Sequence, residues 1–194
     1  DYSSQLVAPL LDPQPGMRVI DACAGGGGKS LHLASLMKDK GKVLSLDTVP
    51  WKLEELRRRA KRAGTGIIET RVIDNKKIIK RLYDSADRLL LDVPCSGLGV
   101  LRRNPDAKWK ISQAFIDKLK GIQHEILSDY SRMLKPGGRM VYATCSILPS
   151  ENREQVQRFL NEGTGDFELI TEHQILPQDK GFDGFYMALL SRKA

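Results

Sequence analysis

The chain has 194 residues, of which 41% are hydrophobic and 28% charged, so it can form one domain with a sizeable core and is not disordered by composition. No run of about 18 apolar residues occurs, and residues 1–16 lack the basic start and long apolar core of a signal peptide, so we expect a cytoplasmic protein that binds no membrane. Lys and Arg number 31 against 24 Asp and Glu, and the net charge of +7 favours a polyanionic partner without establishing one.

Strand and helix patterns alternate along the chain. The predicted strands are residues 17–22, 42–47, 67–74, 88–93, 139–146, 167–172 and 184–193. The predicted helices are a lead-in helix within residues 1–16, followed by 31–39, 50–64, 78–83, 112–134 and 151–162. This order predicts a single α/β domain over residues 1–194: a mostly parallel sheet with helices on both faces and a final antiparallel hairpin.

Two boundaries in this pattern are set by Gly and Pro. Residues 94–112 are rich in Gly, Pro and charged residues, and irregular segments of that length are usually functional, so we expect a binding loop. The helix that follows is expected to stop at residues 135–138, which read Lys-Pro-Gly-Gly, with the next strand beginning at Arg139.

Polar side chains collect at one end of the predicted sheet. In such sheets, ligands bind at the carboxyl ends of the strands, because the loops that follow the strands gather there. The residues at or just past those ends are Asp21, Cys23, Asp47, Asp74, Asp92, Cys95 and Cys145. The sequence therefore predicts a ligand site at this edge of the sheet.

The first strand leads into a glycine-rich turn, DACAGGGGKS, at residues 21–30. Backbone N–H groups in such a turn can approach a ligand at a helix N-terminus. Cys23 stands where the P-loop pattern requires Gly, and Ser30 stands where the dinucleotide pattern requires Gly. With both patterns excluded, the turn is suited to a nucleoside ligand that has no pyrophosphate group. Asp47 is placed to bind its ribose and Asp74 to lie near its base, although either Asp could be a turn or cap residue.

Three cysteines without a C-x-x-C pair and three scattered histidines fit neither a disulfide framework nor a zinc cluster, so no metal is expected. Asp92 and Cys95 lie on the turn after one buried strand, and Cys145 lies after the neighbouring strand, so these groups could face one cleft. Each thiol could instead be a small buried hydrophobe. Spacing alone does not choose between Cys95 and Cys145 as a nucleophile.

The loop at residues 94–112 carries a mixed basic and aromatic motif. Arg102, Arg103, Lys108 and Lys110 surround Trp109, a combination suited to phosphates and a stacked base. A solvated loop anchored by its Trp would show the same composition.

On these motifs the chain resembles the RNA cytosine-5 methyltransferases of the Sun/Fmu (NSUN) type, which use S-adenosylmethionine on a Rossmann-like, mostly parallel seven-stranded sheet. The matching segments are SSQLVAPLLDPQPG, DACAGGGGKS, DVPCSGLG, RRNPDAKW, ATCSILPSENREQV and DGFYMALL. The resemblance implies methylation of carbon 5 of cytosine in ribosomal RNA, with transfer RNA as the other substrate. Members typically carry RNA-binding domains upstream of this core, and we expect those to be absent from this chain. We also expect a monomer.

The resemblance also implies a role for individual residues. The residues implied to contact the cofactor are Cys23, Ala24, Gly25, Gly26, Gly27, Gly28, Lys29, Asp47 at the ribose, Asp74 at the adenine and Asp92 at the methionine end. Cys145 is implied as the nucleophile, Cys95 as the thiol that helps release the product, and Asp92 as a catalytic acid beside the base. The residues implied to bind substrate are Arg103, Asn104, Lys108 and Trp109.

The implied chemistry explains why these residue types are needed. A thiolate adds at carbon 6 of cytosine, so that carbon 5 can attack the sulfonium methyl group. A carboxylic acid near N3 assists by donating a proton or hydrogen bond, and Asp92 suits that role. A base must then remove the carbon 5 proton, and the sequence does not identify it.

The glycine motif departs from the family at two positions, since Gly25 and Gly26 replace an Ala and a Pro. We expect a looser turn. Cofactor binding should then be weaker, because binding must order a more flexible backbone. One alternative is therefore an RNA-binding assembly factor that keeps the fold without turnover. A nicotinamide-dependent oxidoreductase is compatible with Asp47, but the failed dinucleotide pattern opposes it.

Overall fold

The structure is a computed structural model that describes residues 2–163 and 166–194. Its strands are β1 (Arg18–Asp21), β2 (Lys42–Asp47), β3 (Ile68–Val72), β4 (Ala86–Asp92), β5 (Leu134–Thr144), β6 (Phe167–Ile175) and β7 (Phe185–Arg192). The α-helices in the described part are α1 (Tyr2–Gln5), α2 (Val7–Leu11), α3 (Gly28–Leu36), α4 (Pro50–Ala63), α5 (Lys76–Lys80), α6 (Ala107–Lys110), α7 (Gln113–Tyr130), α8 (Arg153–Glu162) and α9 (Pro177–Lys180).

The strands form one seven-stranded sheet in the order β3-β2-β1-β4-β5-β7-β6. Strands β1 to β5 pair in parallel, and β7 runs antiparallel to both β5 and β6. The expected mostly parallel sheet with a reversed C-terminal strand is confirmed. The carboxyl ends of β1, β2, β4 and β5 consequently meet at one edge.

Both faces of the sheet are covered, because neighbouring residues of a strand point to opposite sides. In β4, Leu89 and Leu91 belong to the core beneath α7 and α8, whereas Leu90 belongs to the core beneath α2 and α3. All three leucines are fully buried. The continuous apolar run that predicted a strand buried on both faces is thus explained.

Helix α4 begins and ends where the sequence predicts. Pro50 lies in its first turn, where a missing N–H costs nothing, and Gly64 ends the helix in the left-handed conformation with φ of 69°. The predicted lead-in helix is instead two short helices that meet at Leu6. Val7 and Leu11 of the second helix are buried, so packing on α3 and the sheet holds this segment in place.

The predicted boundary between α7 and β5 is wrong. Helix α7 ends at Tyr130, a 3-10 turn covers Ser131–Met133, and β5 begins at Leu134, so that residues 135–138 lie inside the strand. Leu134 pairs with Ala86, and the pairing resumes only at Arg139 opposite Arg88. The Lys-Pro-Gly-Gly segment therefore forms a bulge, a feature that accommodates both Pro and Gly in a strand.

The predicted binding loop is less irregular than expected. It contains a 3-10 turn at Leu98–Val100 and the short helix α6. Gly99 fixes the base of the loop, because its N–H donates to the Cys145 carbonyl at 2.9 Å and its carbonyl accepts from the Gly184 N–H at 2.8 Å. A Cβ atom at Gly99 would lie 2.0 Å from the Gly184 carbonyl oxygen. Only glycine fits this approach.

We predict opposite effects on stability for alanine at two glycines. Gly99→Ala should lower the free energy of unfolding by about 2 kcal/mol or more, because backbone must move to admit the methyl group. Gly121→Ala, in the exposed interior of α7 with open space at the Cβ position, should raise it by about 0.5–1 kcal/mol. Urea denaturation of both variants measures this contrast, and equal effects would contradict the described loop base.

Candidate active site

A cavity of about 770 Å³ opens at the carboxyl ends of β1, β2 and β4. Its lining includes Cys23, Gly25, Asp47, Ile73, Asp92 and Tyr130. It lies at the edge of the sheet where the sequence places a ligand site.

The glycine turn after β1 is shaped by two residues with positive φ, Gly25 at 53° and Gly27 at 83°. A Cβ atom on Gly27 would lie 2.3 Å from the Leu56 side chain. The Gly26 carbonyl accepts a hydrogen bond from Arg59 Nη1 of α4 at 2.7 Å. The turn is thus held from α4 even though Gly25 and Gly26 replace the family's Ala and Pro.

Asp47, at the end of β2, connects the turn to the next loop. Its Oδ2 accepts from the Gly25 N–H at 2.9 Å, and its Oδ1 accepts from the Val49 N–H at 2.8 Å. Each carboxylate oxygen keeps a second lone pair for a ligand. Both oxygens are therefore fixed at the mouth of the cavity, in a geometry suited to a pair of hydroxyl groups.

Beneath the turn, the Asp21 carboxylate is buried. It accepts from Ser30 Oγ at 2.7 Å, and Ser30 in turn accepts from Ser45 Oγ at 2.9 Å. Burial raises the pKa of Asp21 to about 6, although the Ser30 hydrogen bond opposes the shift. Asp21 thus helps fix the start of α3 behind the turn.

Lys29, which the resemblance assigns to the cofactor, contacts another site residue. Its Nζ lies 2.6 Å from Asp92 Oδ2, and its ammonium also lies 5.4 Å from the centre of the Phe185 ring. Asp92 ends β4 and lines the cavity, so the ion pair places the Lys29 ammonium against a carboxylate of the cavity wall.

Cys95 and Cys145 are in contact, with sulfur atoms 3.3 Å apart. The hydrogen bond with Cys95 lowers the pKa of the Cys145 thiol, and Lys29 lowers it further, against the opposing effects of burial and Asp92. The same hydrogen bond, with burial, raises the pKa of Cys95. The direction of these shifts favours the thiolate on Cys145 and the proton on Cys95, whereas spacing alone favours neither.

Cys23 differs from this pair. Burial, reinforced by Asp21, Asp92 and Asp47, raises its pKa well above the ordinary thiol value. Its thiol stays neutral and serves as a small wall of the cavity.

Other predicted residues lie farther from this centre. Asp74 is exposed and accepts from the Asn75 side chain, while Ile73 lines the cavity. Arg103 forms an ion pair with Asp183, which is 2% exposed, so it anchors the loop to the turn before β7. Trp109 in α6 is 80% exposed.

The remaining predicted substrate residues also belong to the loop surface. Asn104 and Lys108 are exposed, and Lys108 Nζ lies 4.8 Å from the centre of the Trp109 ring. Within the described part of the chain, no group of three or more His, Cys, Asp or Glu side chains is arranged to hold a metal ion. None of the described helices is long and apolar enough to cross a membrane.

Sequence reasoning missed Glu151 and Asn152. Both were assigned to the start of a helix, but Glu151 is fully buried in a 3-10 turn and Asn152 is 1% exposed. Asn152 accepts from Thr144 Oγ1 at 2.5 Å and donates to the Ser146 carbonyl at 3.0 Å, on either side of Cys145. The only sequence signal for these two residues is that they are polar and directly precede an amphipathic helix. Ordinary helix starts show the same pattern, so it does not indicate a buried site.

The sheet order, the glycine turn after β1 and the carboxylate at the end of β2 define a Rossmann-like methyltransferase fold. Among solved structures, NSun6 from Pyrococcus horikoshii with SFG, an analogue of S-adenosylmethionine, has a TM-score of 0.89 and 25% identity, covering 99% of this chain and 52% of that one. A methyltransferase homolog protein from Pyrococcus horikoshii has a TM-score of 0.87 and 28% identity, covering 99% of this chain and 67% of that one.

The family described as 16S rRNA methyltransferase RsmB/F matches residues 8–191, and the chain belongs to this family. It is 39% identical to the ribosomal RNA small subunit methyltransferase B of Vibrio cholerae, over 100% of this chain and 45% of the relative. It is 39% identical to the probable enzyme of that name in Bacillus subtilis, over 100% of this chain and 47% of the relative. The chain thus spans about half the length of these curated relatives.

This membership confirms the resemblance to the Sun/Fmu type. It also removes the support for the nicotinamide-dependent oxidoreductase, which depended on Asp47 following a glycine turn. The fold and the family model place this chain in the family described as 16S rRNA methyltransferase RsmB/F.

The buried Asp21 carboxylate makes stability depend on pH. Folding raises the pKa of Asp21, so the folded state favours the neutral carboxyl group. The protein therefore loses stability as the pH rises from the pKa of Asp21 in the unfolded chain toward its folded value of about 6. Asp21→Asn removes that loss. We predict that the stability of Asp21→Asn relative to the unmodified protein increases by about 3 kcal/mol between about pH 4 and pH 8.

Denaturation at the two pH values measures this difference. Ser45→Ala removes a hydroxyl from the same hydrogen-bonded chain without removing a titratable group, so its effect should not depend on pH. A pH-independent effect of Asp21→Asn would contradict the raised pKa.

Proposed function

We propose that this chain is the catalytic core of an enzyme that transfers a methyl group from S-adenosylmethionine to carbon 5 of cytosine in ribosomal RNA. The observation that carries this proposal is the contact between Cys95 and Cys145 at 3.3 Å, beside the Lys29–Asp92 ion pair. The family description and the names of the relatives support RNA methylation, and their ribosomal names favour ribosomal over transfer RNA.

The residues of the cavity fit S-adenosylmethionine. The glycine turn, from Cys23 to Gly28, admits a ligand close to the backbone, and the Asp47 oxygens are fixed where they can accept from two ribose hydroxyls. The carboxylates of Asp47 and Asp92 line the cavity, and carboxylate oxygens suit a sulfonium cation. When bound, the cofactor supplies the electrophilic methyl group.

We assign the nucleophile to Cys145. Its thiolate adds to carbon 6 of cytosine, and the electron pair of the C5–C6 double bond becomes available at carbon 5. Asp92 can pass the ammonium proton of Lys29 to N3, because its carboxylate lies 2.6 Å from Lys29 Nζ. The negative charge that addition places on the ring is neutralised in this way.

Cys95 acts in product release. After methylation, carbon 5 loses its proton to a base, the C5–C6 double bond reforms and the bond between carbon 6 and Cys145 breaks. The proton on N3 returns through Asp92 to Lys29, so that the product base leaves neutral. The leaving group is the Cys145 thiolate, and the Cys95 S–H can donate a hydrogen bond to it at the observed separation. Because the bond stabilises the leaving thiolate, removing the Cys95 thiol should slow release more than addition.

The loop at residues 94–112 is the proposed RNA contact. Lys108 and Trp109 lie exposed at its tip, where a cation can meet a phosphate and a ring can stack on a base. Arg103 holds the loop in place through its ion pair with Asp183, and the Asn104 carbonyl accepts from the Ala107 N–H in the turn that leads into α6.

Covalent trapping in cells tests the reaction. We predict that the full-length protein carrying Cys95→Ala accumulates a protein–RNA adduct linked through Cys145 to a cytosine, because release is slowed. The additional change Cys145→Ala should abolish the adduct. Mass spectrometry of the linked peptide and nucleotide identifies nucleophile, base and RNA together.

The same experiment separates enzyme from assembly factor. Absence of an adduct, together with absence of methyl transfer by the unmodified protein and measurable cofactor binding, would favour a fold retained without turnover. Full methyl transfer by Cys145→Ala protein would contradict the assigned nucleophile.

Two exposed tryptophans allow a matched test of the RNA contact. Trp109→Ala should weaken RNA binding by about 1–3 kcal/mol, the value typical of one lost stacking contact. Trp51→Ala, at a ring that is 65% exposed on α4, should leave the affinity unchanged. Binding of ribosomal RNA fragments to the full-length variants measures both, and equal losses would contradict the assignment of the loop.

A further inference from the structure

Glu151 carries a fully buried carboxylate close to the reactive thiols. Its Oε1 accepts from the Ser96 N–H at 2.8 Å and from Gln123 Nε2 at 2.9 Å. Its Oε2 accepts from the hydroxyls of Ser96 and Ser146, both at 2.5 Å. Four hydrogen bonds thus compensate for the removal of this carboxylate from water.

The donors of these bonds connect two separate turns. Ser96 directly follows Cys95 after β4, and Ser146 directly follows Cys145 after β5. A single carboxylate oxygen accepts from both serines, and the serine hydroxyls themselves lie 3.2 Å apart. The separation of the two sulfur atoms is therefore fixed by one shared acceptor behind them.

A space-filling role does not require this residue type. A buried carboxylate costs several kcal/mol of desolvation before its hydrogen bonds form, and apolar residues of similar volume often serve stability as well. Within the described residues, no cation pairs with Glu151. Its partners are instead concentrated on the turns that carry Cys95 and Cys145.

We propose that Glu151 is a positioning residue that holds the Cys95 thiol against Cys145, because its carboxylate ties together the two turns that carry these cysteines. Its catalytic consequence rests on the proposed function, whereas its effect on the two thiols does not. The groups that face the pair are Lys29 and Asp92 on the Cys145 side and Glu151 on the Cys95 side.

Charge and geometry act in the same direction. The negative charge of Glu151 adds to the causes that raise the pKa of Cys95. Tyr142 packs close to this charge and stays neutral, because burial raises its pKa well above the ordinary value, and its hydroxyl donates to the Glu151 carbonyl at 2.7 Å. The carboxylate therefore disfavours a thiolate on Cys95 while its hydrogen bonds preserve the thiol contact.

Thiol alkylation tests this proposal without RNA or cofactor. The full-length protein is treated with iodoacetamide over a range of pH, and labelling of Cys145 and Cys95 is followed by mass spectrometry. Glu151→Gln keeps the shape and removes the charge. We expect the ratio of Cys145 to Cys95 labelling to fall about tenfold near pH 7.5, the change that one pKa unit produces, with the Cys145 midpoint moving to higher pH.

Gln155→Met is the matched control. Gln155 is also buried, lies in the first turn of α8, and donates to the Ser150 carbonyl rather than to either thiol-bearing turn. A purely structural role for Glu151 predicts a lower melting temperature in Glu151→Gln with the labelling ratio and pH midpoint unchanged, and that result would overturn the proposal.

A second variant keeps the test decisive if Glu151→Gln does not fold. Ser96→Ala removes one hydroxyl donor and leaves the carboxylate in place, so a smaller fall in the same ratio is expected, and an unchanged ratio would overturn the proposal.

The adduct experiment separates the positioning role of Glu151 from the proposed function. A changed labelling ratio with neither an RNA adduct nor methyl transfer by the unmodified protein supports positioning by Glu151 and rejects the proposed function, whereas an adduct with an unchanged ratio does the reverse.

Discussion

The parallel pairing of β4 with β5 is the constraint on which the site depends. Its register places Asp92 opposite Ala143, and the Val93 N–H continues the ladder to the Ala143 carbonyl at 3.0 Å. The turns that leave the two strands must therefore run side by side. Cys95 and Cys145, which are 50 residues apart in sequence, meet because of this pairing.

The same edge of the sheet carries a concentration of negative charge. Asp21, Asp47 and Asp92 end three neighbouring strands, and among them Asp92 is neutralised by Lys29. Hydrogen bonds from backbone N–H groups and hydroxyls hold the other two. In a chain whose net charge of +7 suits a polyanionic partner, these three carboxylates are thus gathered at the edge of the sheet where the cavity opens.

The sequence allowed the strand ends to be predicted but not the network behind them. Asp47 and Asp92 could be placed because strand patterns end visibly and parallel strands share an edge. Glu151 could not, since its burial depends on contacts with Ser96 and Gln123, which lie far away in the sequence. The error at Leu134 has a related cause: Pro and Gly usually end elements, and only the pairing with Ala86 shows that the strand has already begun.

The binding loop combines a fixed base with an exposed tip. At its base, Gly99 donates to the carbonyl of Cys145 itself, and Arg103 pairs with the buried Asp183. At its tip, Trp109 is 80% exposed. A base stacked on that ring would thus be connected through a short, hydrogen-bonded segment to the backbone of the proposed nucleophile. Under the proposed function, recognition of RNA and placement of the thiolate depend on the same loop, and the close backbone contacts at Gly99 fix the base of that loop beside Cys145.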